Sequence, residues 1–393
     1  MDLFGNRPHI IVVFFRIASA ILIFHGFTLS GQQLRVPHDM NPAEMEIRPL
    51  FRQDTVTIRF FGDIMMHSMQ IQKALQSDGT YDFSTYFAHM SEYLDDSDLN
   101  VGNMEFTLGG EPYSGYPAFS APDSFADYLA ECGFGLFLCA NNHILDKGKA
   151  GLRRTLSKYH DLASDYGIRF TGAATDEEEM RRNTPLIINL KGIKVAFINA
   201  TYGTNSPCSD GWPKTNILSD KAALASAFEQ AGRRADICIA LVHWGDEYVL
   251  KHNRKQEENA VWLAGQGADV IIGSHPHVVQ DTDIINIEGR KVPVAYSLGN
   301  IVSNMSAKDT QAGLMATIRL IRHFNGDVEI SSPEYRFTWC SRPGGYGNSY
   351  YVLPVSAFSD RKEEWKGKWE HDKMTSTIER VCRETGITEN NNN

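Results

Sequence analysis

Apolar runs that end in metal-binding residue types recur along this chain, and this arrangement limits the possible folds more than any other feature of the sequence. Five such runs occur, at residues 57–61, 99–102, 136–140, 237–242 and 269–272. Each has the length of one buried strand, and segments with helical patterns, such as 149–166 and 254–266, separate them. The alternation predicts a layered α/β protein.

The residues that follow these runs are chemically alike. They are carboxylates, imidazoles and one amide, namely Asp63, Glu105, Asn142, His143, His243, His275 and His277. Because ligands of open α/β sheets bind outside the carboxyl ends of the strands, we expect these side chains to converge. Mixed oxygen and imidazole donors suit Mn, Fe, Zn or Mg. Seven donors exceed the needs of one tetrahedral ion, so we expect two divalent ions, about 3.5–4 Å apart, of the kind that promotes phosphoester hydrolysis.

The segment Gly-Ser-His-Pro-His at 273–277 is the most informative of these endings. Pro276 disfavours helix in the residues before it, so His275 and His277 are expected where a strand stops and a loop begins. Two histidines fixed at a strand end are typical of metal ligands. A surface loop that happens to contain His and Pro is the alternative.

Each residue taken alone also has a structural interpretation. Asp63 after Gly62 is compatible with an ordinary turn or helix cap. Asn142 and His143 are compatible with a turn, since Asn tolerates left-handed backbone geometry. His243, beside a tryptophan on an apolar strand, is compatible with a core histidine. The five strand ends together favour a shared site over coincidence.

Six short motifs carry a resemblance to a known family. They are GDIMMH (62–67), NMEFTL (103–108), NNHILDKG (141–148), HWGDEY (243–248), GSHPHVVQ (273–280) and YSLGNIV (296–302). In these motifs and their order the chain resembles the bacterial capsule-synthesis CapA proteins, also called poly-gamma-glutamate capsule proteins. That family is similar in fold to calcineurin-like metallophosphoesterases. The resemblance implies a four-layer αββα sandwich of two mixed β-sheets, a metallo-dependent phosphatase-like fold.

The resemblance also implies roles for the residues at the strand ends. Asp63 and His277 would hold the first ion, and Glu105 would take the position of the bridging carboxylate. The second ion would be held by Asn142, His243 and His275. His143 would act as general acid, or would orient the substrate near the leaving group.

The chain departs from the phosphoesterase pattern at two positions. Met65 stands where a histidine usually follows the first aspartate by two residues, and Glu105 stands where an aspartate is usual. We expect His67 to compensate as a metal ligand, one turn into a following helix.

Three neighbours of these motifs are further candidates. Asp146, three residues after His143, is expected either to orient that imidazole or to cap the helix that starts near Lys149. Glu247 and Tyr248 are expected to line the substrate cleft.

The chain divides into four segments. A basic start, an apolar stretch and small residues near 28–31 predict a signal peptide or an N-terminal membrane anchor over 1–30, with a buried helix as the alternative. A linker at 31–53 precedes a CapA-like domain at 54–325, and 326–393 is a C-terminal extension expected to complete the second sheet and add a helix. From Asp281 onward the strands are expected to form that second sheet, packed on the first. The protein is therefore expected to be exported or membrane-anchored, outside the cytoplasmic membrane.

Charge and site together limit the possible functions. The net charge of −10, without a basic stripe, argues against nucleic-acid binding. The main hypothesis is a metal-dependent hydrolase or transferase acting on a phosphoester or on an amide-linked capsule polymer such as polyglutamate. A noncatalytic component of a membrane-bound capsule synthesis or export complex is the alternative. An intracellular phosphoesterase is a third possibility.

Overall fold

The computed structural model describes residues 54–207 and 211–389. The signal or anchor predicted at 1–30 and the linker predicted at 31–53 lie outside these residues. Within the described residues, no helix has both the length and the apolar character needed to cross a membrane.

The strands, in chain order, are β1 (Asp54–Ile64), β2 (Leu99–Met104), β3 (Phe134–Leu138), β4 (Arg169–Thr171), β5 (Ala173–Ala174), β6 (Leu186–Leu190), β7 (Ile193–Thr201), β8 (Lys214–Thr215), β9 (Ile237–His243), β10 (Val270–Ser274), β11 (Thr282–Ile287), β12 (Arg290–Ala295), β13 (Asn300–Val302), β14 (Ala312–Arg322), β15 (Val328–Ile330), β16 (Glu334–Ser341) and β17 (Tyr351–Pro354). The helices are α1 (Ser68–Ala74), α2 (Ser91–Asp95), α3 (Asp123–Glu131), α4 (Gly148–Tyr166), α5 (Glu177–Asn183), α6 (Lys221–Arg234), α7 (Arg254–Gln266), α8 (Val355–Phe358) and α9 (Lys368–Thr385), with a short 3₁₀ helix at Lys362–Glu364.

Two mixed sheets contain most of these strands. The first has the order β17-β16-β14-β1-β2-β3-β4, with β13 beside β1 and β15 beside β14, and the second has the order β11-β12-β10-β9-β7-β6. Strands β1, β2, β3 and β4 run parallel, as do β7, β9, β10 and β12. The remaining pair, β5 and β8, forms a small separate ribbon.

The apolar strands are buried on both faces, which explains their continuous hydrophobic sequences. On β9, Ile239 and Leu241 belong to the core between the two sheets, whereas the alternate residues Ala240 and Val242 pack with side chains of α6 and α7. A third core joins the outer face of the first sheet to α3 and α4. The layers are therefore helix, sheet, sheet and helix, and the predicted αββα sandwich of two mixed sheets is confirmed.

The predicted division of strands between the sheets is wrong. The strands after Asp281 do not form a sheet of their own: β11 and β12 extend the sheet of β9 and β10, whereas β14 to β17 join β1. Strand β14 pairs antiparallel with β1, its register running from Asp54 opposite Arg322 to Phe60 opposite Ala316. Strands β2 and β14, the neighbours of β1, both bury apolar side chains against the second sheet. Packing between segments far apart in sequence therefore determines the pairing of β14 with β1. The extension after residue 325 supplies β15 to β17 and α9, and its boundary stays a prediction.

Candidate metal centre

Three of the predicted ligands meet at the carboxyl ends of β1, β2 and β9. Asp63 is the penultimate residue of β1, Glu105 directly follows β2, and His243 is the last residue of β9. All three side chains are completely buried. Their ligand atoms lie within 4.8 Å of one another, so these three residues could hold a metal ion together.

The two histidines that follow β10 form a second group with Glu105. Strand β10 ends at Ser274, and ligand atoms of Glu105, His275 and His277 all lie within 4.8 Å of one another. Both histidines have a positive φ, 100° at His275 and 58° at His277. Non-glycine residues rarely adopt such backbone conformations, and those that do cluster at functional sites.

Glu105 belongs to both groups and lacks partners of its own. Neither of its carboxylate oxygens accepts a hydrogen bond from the described residues, although both are buried. Its Oε1 lies 3.5 Å from Nε2 of His243 and 3.7 Å from Nε2 of His277. A buried carboxylate without donors is unfavourable unless a positive charge compensates it. A shared position between two cations is the arrangement that would satisfy both oxygens.

Burial dominates the pKa values of the cluster. Burial, and next the negative charge of Asp63, raises the pKa of the Glu105 carboxyl well above its usual range. Burial lowers the pKa of His243 well below its usual value and that of His275 to about 3. Neutral imidazoles are the form that binds metal ions. The donor set therefore fits divalent cations.

Neighbouring polar side chains fix the orientation of the ligands. The amide of Asn103 donates a hydrogen bond of 2.7 Å to Oδ1 of Asp63, and the backbone N–H of His275 donates to Oδ2 of Asp63 at 3.1 Å. Oγ of Ser274 lies 3.0 Å from Nδ1 of His243, which directs Nε2 of that ring towards Oδ1 of Asn142 at 2.8 Å. Asn103 and Ser274 were not predicted from the sequence, although both are polar residues at the ends of buried strands.

His277 is held by the residue that begins β13. Its Nδ1 lies 3.0 Å from Oδ1 of Asn300, an atom that only accepts, so the proton is on Nδ1 and Nε2 is left free as a metal ligand. Such support for a ligating imidazole is usual in metal sites.

His143 and Asp146 form a buried pair next to the cluster. Nδ1 of His143 lies 2.7 Å from Oδ2 of Asp146, and the backbone N–H of Phe119 donates to the same oxygen at 2.8 Å. Helix α4 begins at Gly148 with Lys147 at its N-cap, and Asp146 does not cap it. Of the two alternatives for Asp146, the structure shows the contact with His143. Nε2 of the same ring lies 3.4 Å from the amide nitrogen of Asn205.

His67 lies outside both ligand groups. It is the N-cap of α1, and its Nδ1 accepts a hydrogen bond of 3.2 Å from the backbone N–H of Asn304. The ring of Phe119 stands between it and His143, with centroid distances of 5.2 Å and 4.7 Å. Met65 is buried in an apolar cluster. The expected compensation of Met65 by His67 therefore stays a prediction.

The loop after β7 contributes two residues that were not predicted from the sequence. Tyr202 donates its backbone N–H to the carbonyl of His243 at 2.8 Å, and its ring lies 4.6 Å from that of His275. The backbone N–H of Asn205 donates to the carbonyl of Asn142 at 2.8 Å, and its amide lies 3.3 Å from Nδ1 of His143. Only the three-dimensional structure brings this loop to the site, because no apolar run ends there in a ligand residue type.

Two packed mixed sheets with carboxylate and imidazole donors at their strand ends define an α/β protein with a candidate metal centre. The family model described as bacterial capsule synthesis protein PGA_cap matches residues 57–305. The chain therefore belongs to the PGA_cap family of bacterial capsule synthesis proteins.

Two curated relatives show the extent of the similarity. The capsule biosynthesis protein CapA of Bacillus anthracis is 28% identical over 260 residues, covering 63% of this chain and 60% of that protein. The PGA biosynthesis protein CapA of Bacillus subtilis (strain 168) is 22% identical over 329 residues, covering 81% of this chain and 79% of that protein. The chain thus spans less than two thirds of the Bacillus anthracis relative.

Solved structures with similar folds include two nucleotidases. The Haemophilus influenzae NAD nucleotidase has a TM-score of 0.45 and 15% identity, covering 84% of this chain and 63% of that one. The 5'-nucleotidase from Candida albicans has a TM-score of 0.41 and 10% identity, covering 82% of this chain and 57% of that one.

Proposed function

We propose that this protein is a metal-dependent hydrolase or transferase of capsule synthesis that acts on a phosphoester or on an amide-linked capsule polymer such as polyglutamate. The observation that carries the proposal is the position of Glu105, which belongs to two ligand groups and has two buried oxygens without hydrogen-bond donors. A bridging carboxylate between two ions has this arrangement. The apolar segment within residues 1–30 supports an exported or membrane-anchored location, and family membership supports association with a capsule synthesis complex.

The residues divide the chemical work as follows. Two divalent ions, of Mn, Fe, Zn or Mg, would supply positive charge that polarises the scissile group and lowers the pKa of water. The residues that would hold them are Asp63, Glu105, Asn142, His243, His275 and His277. Asp63 and His243 are oriented by Asn103 and Ser274. The buried donors also exclude bulk water from the ligand atoms, which strengthens their electrostatic interactions.

His143 is the proton-transfer residue in this proposal. Its Nδ1 is occupied by Asp146, and this fixes the ring and leaves Nε2 to give or take a proton at the leaving group. A buried Asp–His pair of this kind stabilises the imidazolium that forms when Nε2 takes up a proton.

One observation favours the noncatalytic alternative. Met65 offers no ligand at the position where phosphoesterases usually have a histidine, and His67 lies outside both ligand groups. In that alternative, the cluster binds metal for structure or for polymer binding within an assembly.

The test is the metal content of the full-length protein together with turnover of phosphoesters and polyglutamate. His143→Ala and His275→Ala are compared with the control His323→Ala. His323 lies in the hairpin after β14, near the first residue of β1, whereas Asp63 is near the last residue of that strand. We expect about two ions per chain in wild type, loss of metal in His275→Ala, and loss of turnover without loss of metal in His143→Ala. Bound metal without turnover on any substrate would favour the assembly role, and no bound metal would contradict both.

A further inference from the structure

The C-terminal extension brings a cation to the same sheet edge as the metal cluster. Strand β14 pairs antiparallel with β1, and β16 pairs antiparallel with β14, so β16 runs in the same direction as β1. The end of β16 therefore lies at the edge where β1 presents Asp63. Arg342 is the first residue after β16, and it is partly exposed. It lies outside residues 57–305, the part of the chain that matches the family model.

The positive charge of Arg342 reaches the histidines of the cleft. Burial is the main cause that lowers the pKa of His67 to about 4. Positive charge on His277, His143 and Arg342 acts in the same direction, and such effects weaken with distance. Arg342 is therefore close to the cleft that His143 and His277 line.

Arg342 shares a hydrogen-bond acceptor with a second cation. Its guanidinium donates to Oε1 of Gln311 at 2.9 Å, and Nζ of Lys373, on α9, donates to the same oxygen. Nζ of Lys373 also lies 6.0 Å from the ring centroid of Trp339, at the limit of a cation–π contact. Burial lowers the pKa of Lys373, and the charge of Arg342 lowers it further. These two cations, which meet at one neutral oxygen, are called the cation pair below.

The carboxylates near the cation pair accept hydrogen bonds from other donors. Glu370 and Asp309 are the two whose charge acts on Lys373. Glu370 accepts from the amide of Gln311 at 2.8 Å and from the backbone N–H that follows β16, and Asp309 accepts from Arg380. Within the part of the chain that the structure describes, no carboxylate lies within 4.0 Å of either cationic group of the pair.

Arg154 shows the arrangement of a paired arginine in this fold. Its guanidinium makes two hydrogen bonds of 2.7 Å to the carboxylate of Asp123. Arginine has five N–H donors and lysine has three, so one shared amide oxygen leaves most donors of the cation pair without a partner among the described residues. A carboxylate would supply both the missing acceptors and the compensating charge. The cation pair can therefore take a carboxylate from a ligand.

A cation pair beside the metal cluster favours a ligand with more than one anionic group. One part of such a ligand reacts at the metal cluster while a neighbouring anionic group reaches the cation pair. A polymer with a carboxylate on every residue, such as polyglutamate, meets this requirement. A simple phosphomonoester has one anionic group, which the metal cluster itself would bind.

We propose that the cation pair binds a carboxylate of an acidic polymer such as polyglutamate, next to the residue that reacts at the metal cluster. The inference rests on the proposed function for the position of the reacting group, and it selects the acidic polymer over a simple phosphoester as the substrate. Arg342 and Lys373 are thereby specificity-determining residues that the C-terminal extension supplies.

The test is a titration of the full-length protein with two oligomers, each with and without added Mn²⁺. One is a γ-linked glutamate oligomer, and the other has the same backbone with every free carboxylate replaced by a carboxamide. The variant is the double substitution Arg342→Gln with Lys373→Gln.

The control removes the same charge from the same helix. It is the double substitution Lys368→Gln with Arg383→Gln, at the two ends of α9. Both residues already pair with carboxylates, Lys368 with Glu363 and Arg383 with Glu384. A general effect of net charge on binding would therefore appear equally in the variant and in the control.

We expect wild type to bind the glutamate oligomer about tenfold more tightly than the neutral oligomer, and the double variant to lose this preference, as expected when a hydrogen bond between charged groups is lost. The control should bind as wild type does. Equal binding of the two oligomers by wild type would overturn the inference, and this comparison does not depend on the folding of any variant. Equal binding of the glutamate oligomer by the double variant and the control would also overturn it.

The two proposals fail in different ways. Binding that depends on the cation pair, in a protein that holds no metal, would contradict the proposed function and leave the cation pair assignment standing. Bound metal and turnover, with binding that does not depend on the cation pair, would overturn the further inference alone.

Discussion

Glu105 and His243 face each other at the carboxyl ends of β2 and β9, with Oε1 of the carboxylate 3.5 Å from Nε2 of the imidazole and both side chains fully buried. This separation is too long for a hydrogen bond, and no described residue donates one to either Glu105 oxygen. The pair is therefore a cost to the metal-free fold. A cation bound between the two atoms would compensate the buried carboxylate, so relief of this unfavourable term would add to the free energy of metal binding.

Glu105→Gln should lower metal affinity at least tenfold for both ions, because the carboxylate belongs to both ligand groups. In the metal-free protein the substitution should leave the free energy of unfolding equal or higher, since it removes a buried carboxylate without partners. Elemental analysis after dialysis and urea unfolding measure the two effects. Glu179→Gln is the control, because that buried carboxylate has partners in Thr175 and His160 and lies outside the ligand groups. Full metal occupancy in Glu105→Gln would contradict the shared position.

The metal-free protein should lose stability as the pH falls from about 6.5 towards 4. Burial lowers the pKa of His67 to about 4, so the unfolded chain takes up a proton before the folded protein does. The stabilising effect of the neutral ring is present above pH 6.5 and is lost on acidification, by about 3 kcal/mol at pH 4. Urea unfolding at a series of pH values tests this, and His67→Gln should make the slope smaller, while His243 and His275, whose pKa values are also lowered by burial, account for the rest. An unchanged dependence of stability on pH in that variant would show that protonation of His67 does not contribute to it.

Asp146→Asn should reduce turnover about 10–100-fold without loss of metal. The asparagine carbonyl can still accept the Phe119 N–H, but its amide then faces Nδ1 of His143 and moves the imidazole proton to Nε2. The pH profile of kcat/KM should change, and ¹⁵N shifts of His143 should report the new tautomer even if no substrate is turned over. An unaltered tautomer would show that Asp146 does not hold the ring.

Gly273→Ala should displace both histidines that follow β10. A Cβ at this position would lie 2.0 Å from the carbonyl oxygen of Tyr296 and 2.5 Å from Nε1 of Trp244, so the strand must shift. We expect metal binding to fall and the free energy of unfolding to drop by about 2 kcal/mol or more. The control, Gly265→Ala in α7, would place its Cβ 3.5 Å from Ile287, an ordinary contact, and should be neutral or slightly stabilising. Equal metal binding by the two variants would contradict this account.

The strand endings were predictable because each is a local signal. The apolar run at 237–242 matches β9, and the helices expected at 149–166 and 254–266 match α4 and α7 within one residue. A strand followed by a ligand residue type can be recognised from a few neighbours in sequence. For this reason the amino-acid sequence alone indicates Asp63, Glu105, His243, His275 and His277 as candidate ligands.

The sheet partners and the residues around the ligands were not predictable in the same way. The position of β14 beside β1 depends on packing between segments far apart in sequence. Tyr202 and Asn205 reach the site through a loop whose sequence carries no distinguishing pattern. Asn103 is a polar residue at the end of a buried strand, so the sequence did contain a signal for it. The prediction at that strand end named only Glu105.

The position of β1 between β2 and β14 sets the order in which the protein can mature. Strand β2 follows β1 closely in the chain, but β14 begins only at Ala312. The ribosome must therefore synthesise most of the polypeptide before β14 can cover its edge of β1. Until then β1 is an open edge that invites pairing with other chains. Asp63 lies on this same strand, so chains that end before β14 are expected to aggregate with the strand that carries this candidate ligand unprotected.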